Sequence, residues 1–140
     1  MRALRQPALA VLTGLVVLFA LGCGGRLKPK GRMVRGGEPL RTGPGEGMRV
    51  VFEPVEVTGS TYDSYPAQFN GDDGTFIVTG KDGNGLPPGK YRVSIQLMRK
   101  KEDVFRGVLL GKKSPFTFDV ESGSEELVID LDKAQLGKKE

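Results

Sequence analysis

Three adjacent acidic pairs, Asp72/Asp73, Glu102/Asp103 and Glu125/Glu126, are the groups in this sequence most able to do acid–base chemistry. Two carboxyls that share such a reaction must face each other across a cleft, about 5 to 9 Å apart, whereas neighbours on a strand point to opposite faces. The pairs therefore read as solvated turns. Oxygens of the hardness that calcium takes gather at Asn70, Asp72, Asp73, Asp82 and Asn84. A calcium loop of the EF-hand kind needs ligands at positions one, three and five ahead of a glycine at six. With Gly74 as that glycine, positions one and three are Phe69 and Gly71; with Gly85, position one is Gly80. No metal site is expected from that pattern, and the five residues stay candidates only for a site bridging loops 70–73 and 82–84. Ser60, Ser64, Ser114, Ser122 and Ser124 lie in no Gly-x-Ser-x-Gly context, and there is no histidine to activate them.

The same absence of histidine, in a chain of 140 residues, excludes an imidazole base, a Cys/His nucleophile pair and His-ligated zinc or copper. No enzyme activity and no cofactor are expected. One cysteine precludes an internal disulfide. Twenty-one glycines and nine prolines make about a fifth of the chain, which is high for a globular protein but below the roughly 25–30% typical of low-complexity disorder. A single turn-rich β domain fits that composition.

The lone cysteine has an informative position. Arg2 and Arg5 precede the uncharged run Ala8 to Leu21, a charged n-region followed by an apolar h-region. As a helix the run would span about 21 Å, short of the roughly 30 Å a permanent span must cross, so residues 1–22 read as an export signal. The run ends Phe19-Ala20-Leu21-Gly22-Cys23, which resembles the lipobox of bacterial lipoproteins. Ala20 stands where that family prefers leucine, with Leu21 one step later. The resemblance implies cleavage before Cys23, a diacylglyceryl group on its thiol and acylation of the new amino terminus. Two or more acyl chains give stable anchoring where one does not, so the expected location is the cell membrane or outer membrane, facing the periplasm or the surface. Gly24 and Gly25 follow, not the aspartate that retains such proteins in the inner membrane.

Loss of Arg2 and Arg5 with the signal leaves 19 basic and 17 acidic side chains, so the net charge falls from +4 to +2. That is no nucleic-acid footprint. Arg26, Lys28, Lys30, Arg32 and Arg35 nevertheless all precede the first acid, Glu38, and basic groups beside an anionic leaflet contribute up to about 1 kcal/mol each. This stretch, with residues 23–29 as a short tether, is expected to hold the domain against the lipid.

From residue 30 to 133 the apolar pattern has period two, and residues 134–140 form a polar tail. Tyr91, Val93, Ile95 and Leu97 alternate with Arg92, Ser94 and Gln96, the signature of a half-buried antiparallel strand. The same alternation marks Gly31 to Arg35, Val50 and Phe52, Tyr65 to Phe69, Thr75 to Val78, Phe116 to Val120, and Leu127 to Leu131, seven strands in all. Asp73-Gly74 should close a hairpin, Pro87-Pro88-Gly89 has the type II turn pattern, and Ser122-Gly123 separates the last two strands. Seven short strands at this spacing predict an all-β, antiparallel Greek-key sandwich. Residues 99–113 interrupt the pattern, and are expected to form a long connection with Phe105 and Leu109 tucked under a sheet edge, or else a loop facing a partner or the membrane.

The succession Gly31-Arg32-Met33-Val34-Arg35-Gly36-Gly37-Glu38-Pro39-Leu40, Val50 to Pro54, Asp73-Gly74-Thr75-Phe76, Leu86 to Val93, and Ser114 to Val120 with Leu127 to Leu131 resembles the transthyretin-like, carboxypeptidase-regulatory-like domains of bacterial lipoproteins, numerous in planctomycete-type bacteria. The resemblance implies a prealbumin-like sandwich and is nearly mute about activity. Hydroxyisourate hydrolases of that shape use histidines and a characteristic tail, whereas this chain ends Gly137-Lys138-Lys139-Glu140. With no tryptophan, and only Tyr62 and Tyr65 in a loop or edge, a sugar platform is not expected. The function that follows is a lipid-anchored, non-enzymatic envelope module working through protein or structural contacts, bound to the membrane by its anchor. The alternative is a ligand- or calcium-binding accessory domain using loops 70–73 and 82–84.

Overall fold

The computed structural model describes residues 25–56 and 63–134. Residues 1–24, Cys23 among them, residues 57–62 with Ser60 and Tyr62, and residues 135–140 lie outside the described residues. Those described form an all-β fold, with 3-10 turns at Gly111–Lys113 and Leu131–Lys133 as their helical content.

Period-two alternation yields nine strands: β1 (Lys30–Arg35), β2 (Glu38–Pro39), β3 (Glu46–Pro54), β4 (Tyr65–Phe69), β5 (Thr75–Val78), β6 (Gly89–Arg99), β7 (Glu102–Asp103), β8 (Thr117–Val120) and β9 (Glu126–Asp130). The seven expected from sequence are all present; β2 and β7 are two-residue additions at turns. Hydrogen bonds join the nine into one curled sheet, with the spatial order β9-β1-β5-β4-β3-β6-β8. β2 extends the ladder beside β1, and β7 the ladder beside β6. Every pairing is antiparallel except β1 with β9, the first and last strands, which run parallel.

Alternation sends one residue of each pair inward. Tyr91, Val93, Ile95 and Leu97 of β6 are buried, as are Val50 and Phe52 of β3, Phe76 and Val78 of β5, Met33 of β1, and Leu127 and Ile129 of β9. Phe52 is central, its ring 6.1 Å from Phe76 and 6.4 Å from both Tyr91 and Phe118. Folding also extends beyond the expected ends of the domain. Leu27 N donates to the Leu86 carbonyl at 2.7 Å and Leu86 N to that of Leu27 at 2.8 Å, while Ala134 is buried in the core.

Two turn expectations fare differently. Gly74 has φ 75 and closes the β4–β5 hairpin, with its N–H on the Asn70 carbonyl at 2.9 Å. A side chain there would meet the Leu40 carbonyl at 2.9 Å and the Met33 carbonyl at 3.0 Å, so only glycine fits. Gly89, by contrast, has φ 158 and opens β6; the type II turn, which requires a φ near +80° at that position, is not formed.

Between β8 and β7 the edge of β6 would carry unpaired backbone groups, a liability in any sheet. Residues 103–116 cover it. Val93 N donates to the Phe116 carbonyl and Ile95 N to that of Leu109, both at 2.9 Å. Ser114 Oγ donates to the Val93 carbonyl, and Gly111 N donates to Ser94 Oγ at 2.8 Å. Phe105 and Leu109 enter the core beneath this cover, which is the connection expected for 99–113. Val104 to Leu110 forms successive turns and no helix.

Candidate functional site

The outward residues of four neighbouring strands form a trough. Lys30 lies opposite Ile77 and Glu126, Arg32 opposite Thr75, and Gln68 opposite Ile77. With Asn70 at one end and the loop Gly123 to Glu126 as a wall, they bound a concavity of about 920 Å³. Beneath it, Gly31 has no side chain because the Phe76 ring and the Leu127 carbonyl occupy that space. Arg32 Nε reaches Glu126 Oε1 at 2.9 Å, with both side chains more than half exposed, a pair worth at most about 1 kcal/mol. The trough thus offers a lysine, an arginine–glutamate pair, amides and a threonine hydroxyl around an apolar lining of Ile77, Phe69 and Phe76. A smaller cavity of about 240 Å³ lies over β3 and β6, between Arg49, Glu53, Ser64, Gln96 and Leu110.

The oxygens singled out for calcium are turn fasteners. Asn70 Oδ1 accepts from Asp72 N at 2.9 Å. Asp73 Oδ1 accepts from Thr75 Oγ1 at 2.6 Å and from Thr75 N at 3.0 Å, and those two bonds hold its carboxyl below the ordinary value of 3.8. Asp82 accepts from Asn84 N at 3.1 Å and from its side-chain amide at 3.0 Å; these bonds, with a smaller contribution from Arg26, likewise lower its pKa. Loop 70–74 precedes β5 and loop 79–88 follows it, so the two sets sit at opposite ends of a four-residue strand, about 13 Å long. No group of three or more Cys, Asp or Glu converges among the described residues.

The acidic pairs diverge as alternation requires. Glu102 is exposed, whereas Asp103 turns inward and accepts from Gly107 N at 2.8 Å, Phe105 N at 3.0 Å and Leu97 N at 3.3 Å. Glu126 pairs with Arg32, and Glu125 faces solvent. Glu46, by the first turn of β3, is held below its ordinary value by the Gly43 N–H and by Arg99. The Tyr91 hydroxyl donates to the Pro87 carbonyl, and burial, then Tyr65, pushes its pKa up to about 12. It is a packed phenol, not a base.

The early cations do not form one patch. Arg26 Nη1 donates to the Gly85 carbonyl at 3.4 Å, Arg32 is paired with Glu126, and Arg35 stands at the far end of β1 beside the β1–β2 turn. Lys28 and Lys30 are exposed without an ion-pair partner among the described residues. Alternation along β1 already places Lys30 and Arg32 on one face; what sequence reasoning missed is that β9 brings Glu126 to that face, and that Asp103 organises the 103–116 cover. No helix among the described residues is long and apolar enough to cross a membrane. Compared with known proteins, the chain matches no family model, no curated protein and no solved structure.

Proposed function

We propose that the protein is a lipid-anchored, non-enzymatic module of the bacterial cell envelope, exported by residues 1–22 and acylated at Cys23. The observation that carries this reading is the position of Leu27. Its two hydrogen bonds to Leu86 tie it to the folded domain, leaving three residues between it and Cys23, a reach of about 14 Å over four fully extended backbone steps. A domain built so close to the modified residue is suited to work at the lipid surface. The curled sheet is read as a transthyretin-like Greek-key sandwich, its two arms, β9-β1-β5-β4 and β3-β6-β8, taking the places of the two sheets. The trough beside β1 is the contact site for an envelope protein partner.

The test is membrane partitioning of the native protein beside Cys23→Ala. Wild type in the membrane fraction, with the variant soluble or unprocessed, supports the anchor. Both proteins soluble and cut at the same bond would reassign the domain as a secreted module.

A further inference from the structure

Of the cations at the start of the domain, Arg26 and Arg32 are engaged separately, whereas a second group lies along residues 99–113, on the β6–β7 turn and the cover of β6. Residues 99–113 hold six basic and two acidic side chains, a net +4, against +2 for the whole chain from Cys23 onward. Arg99 is neutralised by Glu46 at 2.6 Å, and Asp103 is turned onto backbone N–H groups. The exposed charge is therefore Lys100, Lys101, Arg106, Lys112 and Lys113, with Glu102 the one exposed acid among them. None of the five cations is in an ion pair among the described residues.

Their backbone is unusual. Lys100 (φ 49), Lys101 (φ 66) and Arg106 (φ 54) are the non-glycine residues with positive φ among those described. Lys100 and Lys101 form the two-residue turn between Arg99 and Glu102, where positive φ at both positions makes a type I′ turn that Asn-Gly fits best. Among the described residues, glycine stands at ten positive-φ positions and a long cation at these three. All three side chains are exposed, so packing does not explain them. Val104 stands between Lys101 and Arg106, and Val108 between Arg106 and Lys112; they are 37% and 42% exposed, and each is followed by a residue buried in the core, Phe105 and Leu109. Two exposed aliphatic side chains thus alternate along the chain with exposed cations, on a segment fastened from below.

We propose that this surface is a second membrane contact, taking the anionic headgroups of the bilayer on its cations and seating the two valines at the headgroup boundary. The inference rests on the anchored reading, because the short slack to Leu27 keeps the domain against a bilayer. Lysines near an anionic leaflet are attracted within a Debye length, about 8 Å at physiological ionic strength. Apolar side chains set among basic ones are the composition of interfacial contacts. An acidic protein surface would meet the charges equally, but the anchor already supplies the bilayer.

The experiment uses the full chain purified from membranes, with intact mass recording acylation. Val108→Cys, labelled with an environment-sensitive dye, is reconstituted into vesicles of phosphatidylcholine or vesicles enriched in phosphatidylglycerol, each carrying a lipid-borne quencher. Strong quenching only with phosphatidylglycerol, lost in Lys100→Asn/Lys101→Gly, is expected. That double variant installs the favoured turn sequence, so its loss of contact cannot come from misfolding. Equal quenching in both vesicles, or no effect of the variant, would overturn the proposal, as would binding of poly-glutamate without vesicle contact. If the mass shows no acyl group, the anchor reading fails by itself and co-sedimentation with phosphatidylglycerol vesicles decides the surface. Wild type should then pellet with about thirtyfold higher affinity than the double variant, and failure to pellet would refute it.

Discussion

Replacing Asp103 should loosen the whole cover of β6. Its carboxylate accepts from Leu97 N on the strand and from Phe105 N and Gly107 N on the loop, so it links the two. A hydrogen bond to a charged group contributes about 1.5–3 kcal/mol net. The Gly107 and Phe105 bonds are short and the Leu97 bond long, and the half-buried donors can partly rehydrate. Asp103→Ala should therefore cost about 3 kcal/mol, a little more than one good charged bond. Asp103→Asn keeps an acceptor for Leu97 and Phe105 but turns an amide donor toward Gly107 N, and should cost about half as much. Urea unfolding measures both, with an unchanged slope showing that stability and not compactness has moved. Amide exchange should rise first at Ile95, whose N–H donates to Leu109 in the cover. A loss below about 0.5 kcal/mol for Asp103→Ala, the range of ordinary surface substitutions, or a larger loss for asparagine than for alanine, would refute this reasoning.

Gly74→Ala meets two carbonyls at 3.0 Å or less and should cost well over 1 kcal/mol, whereas Gly83→Ala, with φ 79 but open space around it, should cost about 1 kcal/mol; paired urea curves compare them. Asp73 has a folded pKa below its ordinary 3.8, so its contribution is full above that value and is lost as pH falls through the lower folded one. Thr75→Val, which removes the largest cause of the shift, should flatten the acid limb of an unfolding-midpoint against pH plot by lowering its neutral end, while the strongly acid end stays nearly unchanged. Tyr91, raised from 10.0 to about 12, favours the folded state below pH 10 and loses that contribution between the two values. Ultraviolet titration should show one phenol ionising near 12, absent in Tyr91→Phe.

The strands were legible because burial on one face imposes period two, and the apolar residues of β6 from Tyr91 to Leu97 keep it; Ser94 is buried on the other face, where the 103–116 segment covers it. The hairpin at Gly74 was legible because its φ admits little but glycine. The parallel pairing of β1 with β9 was not, since it joins the two ends of the domain and no local pattern encodes a register between them. For the same reason the sequence does not show that Gly85 and Glu126, distant in sequence, engage Arg26 and Arg32 of the basic run Arg26 to Arg35. Asp103 looked equivalent to Glu102 because only the return of the chain through Phe105 and Gly107 brings donors to one carboxylate. The expected turn at Pro87-Pro88-Gly89 failed because Gly89 is already paired with Val120 as the first residue of β6.

The proposed anchor fastens the domain to lipid through Cys23, within a few residues of its first fixed contact at Leu27. Intact mass of the native protein extracted from membranes tests it most directly. A chain that begins at Cys23 and carries the added mass of a diacylglyceryl group with amino-terminal acylation is the expected result. A chain that begins elsewhere, or at Cys23 with an unmodified thiol, would contradict it.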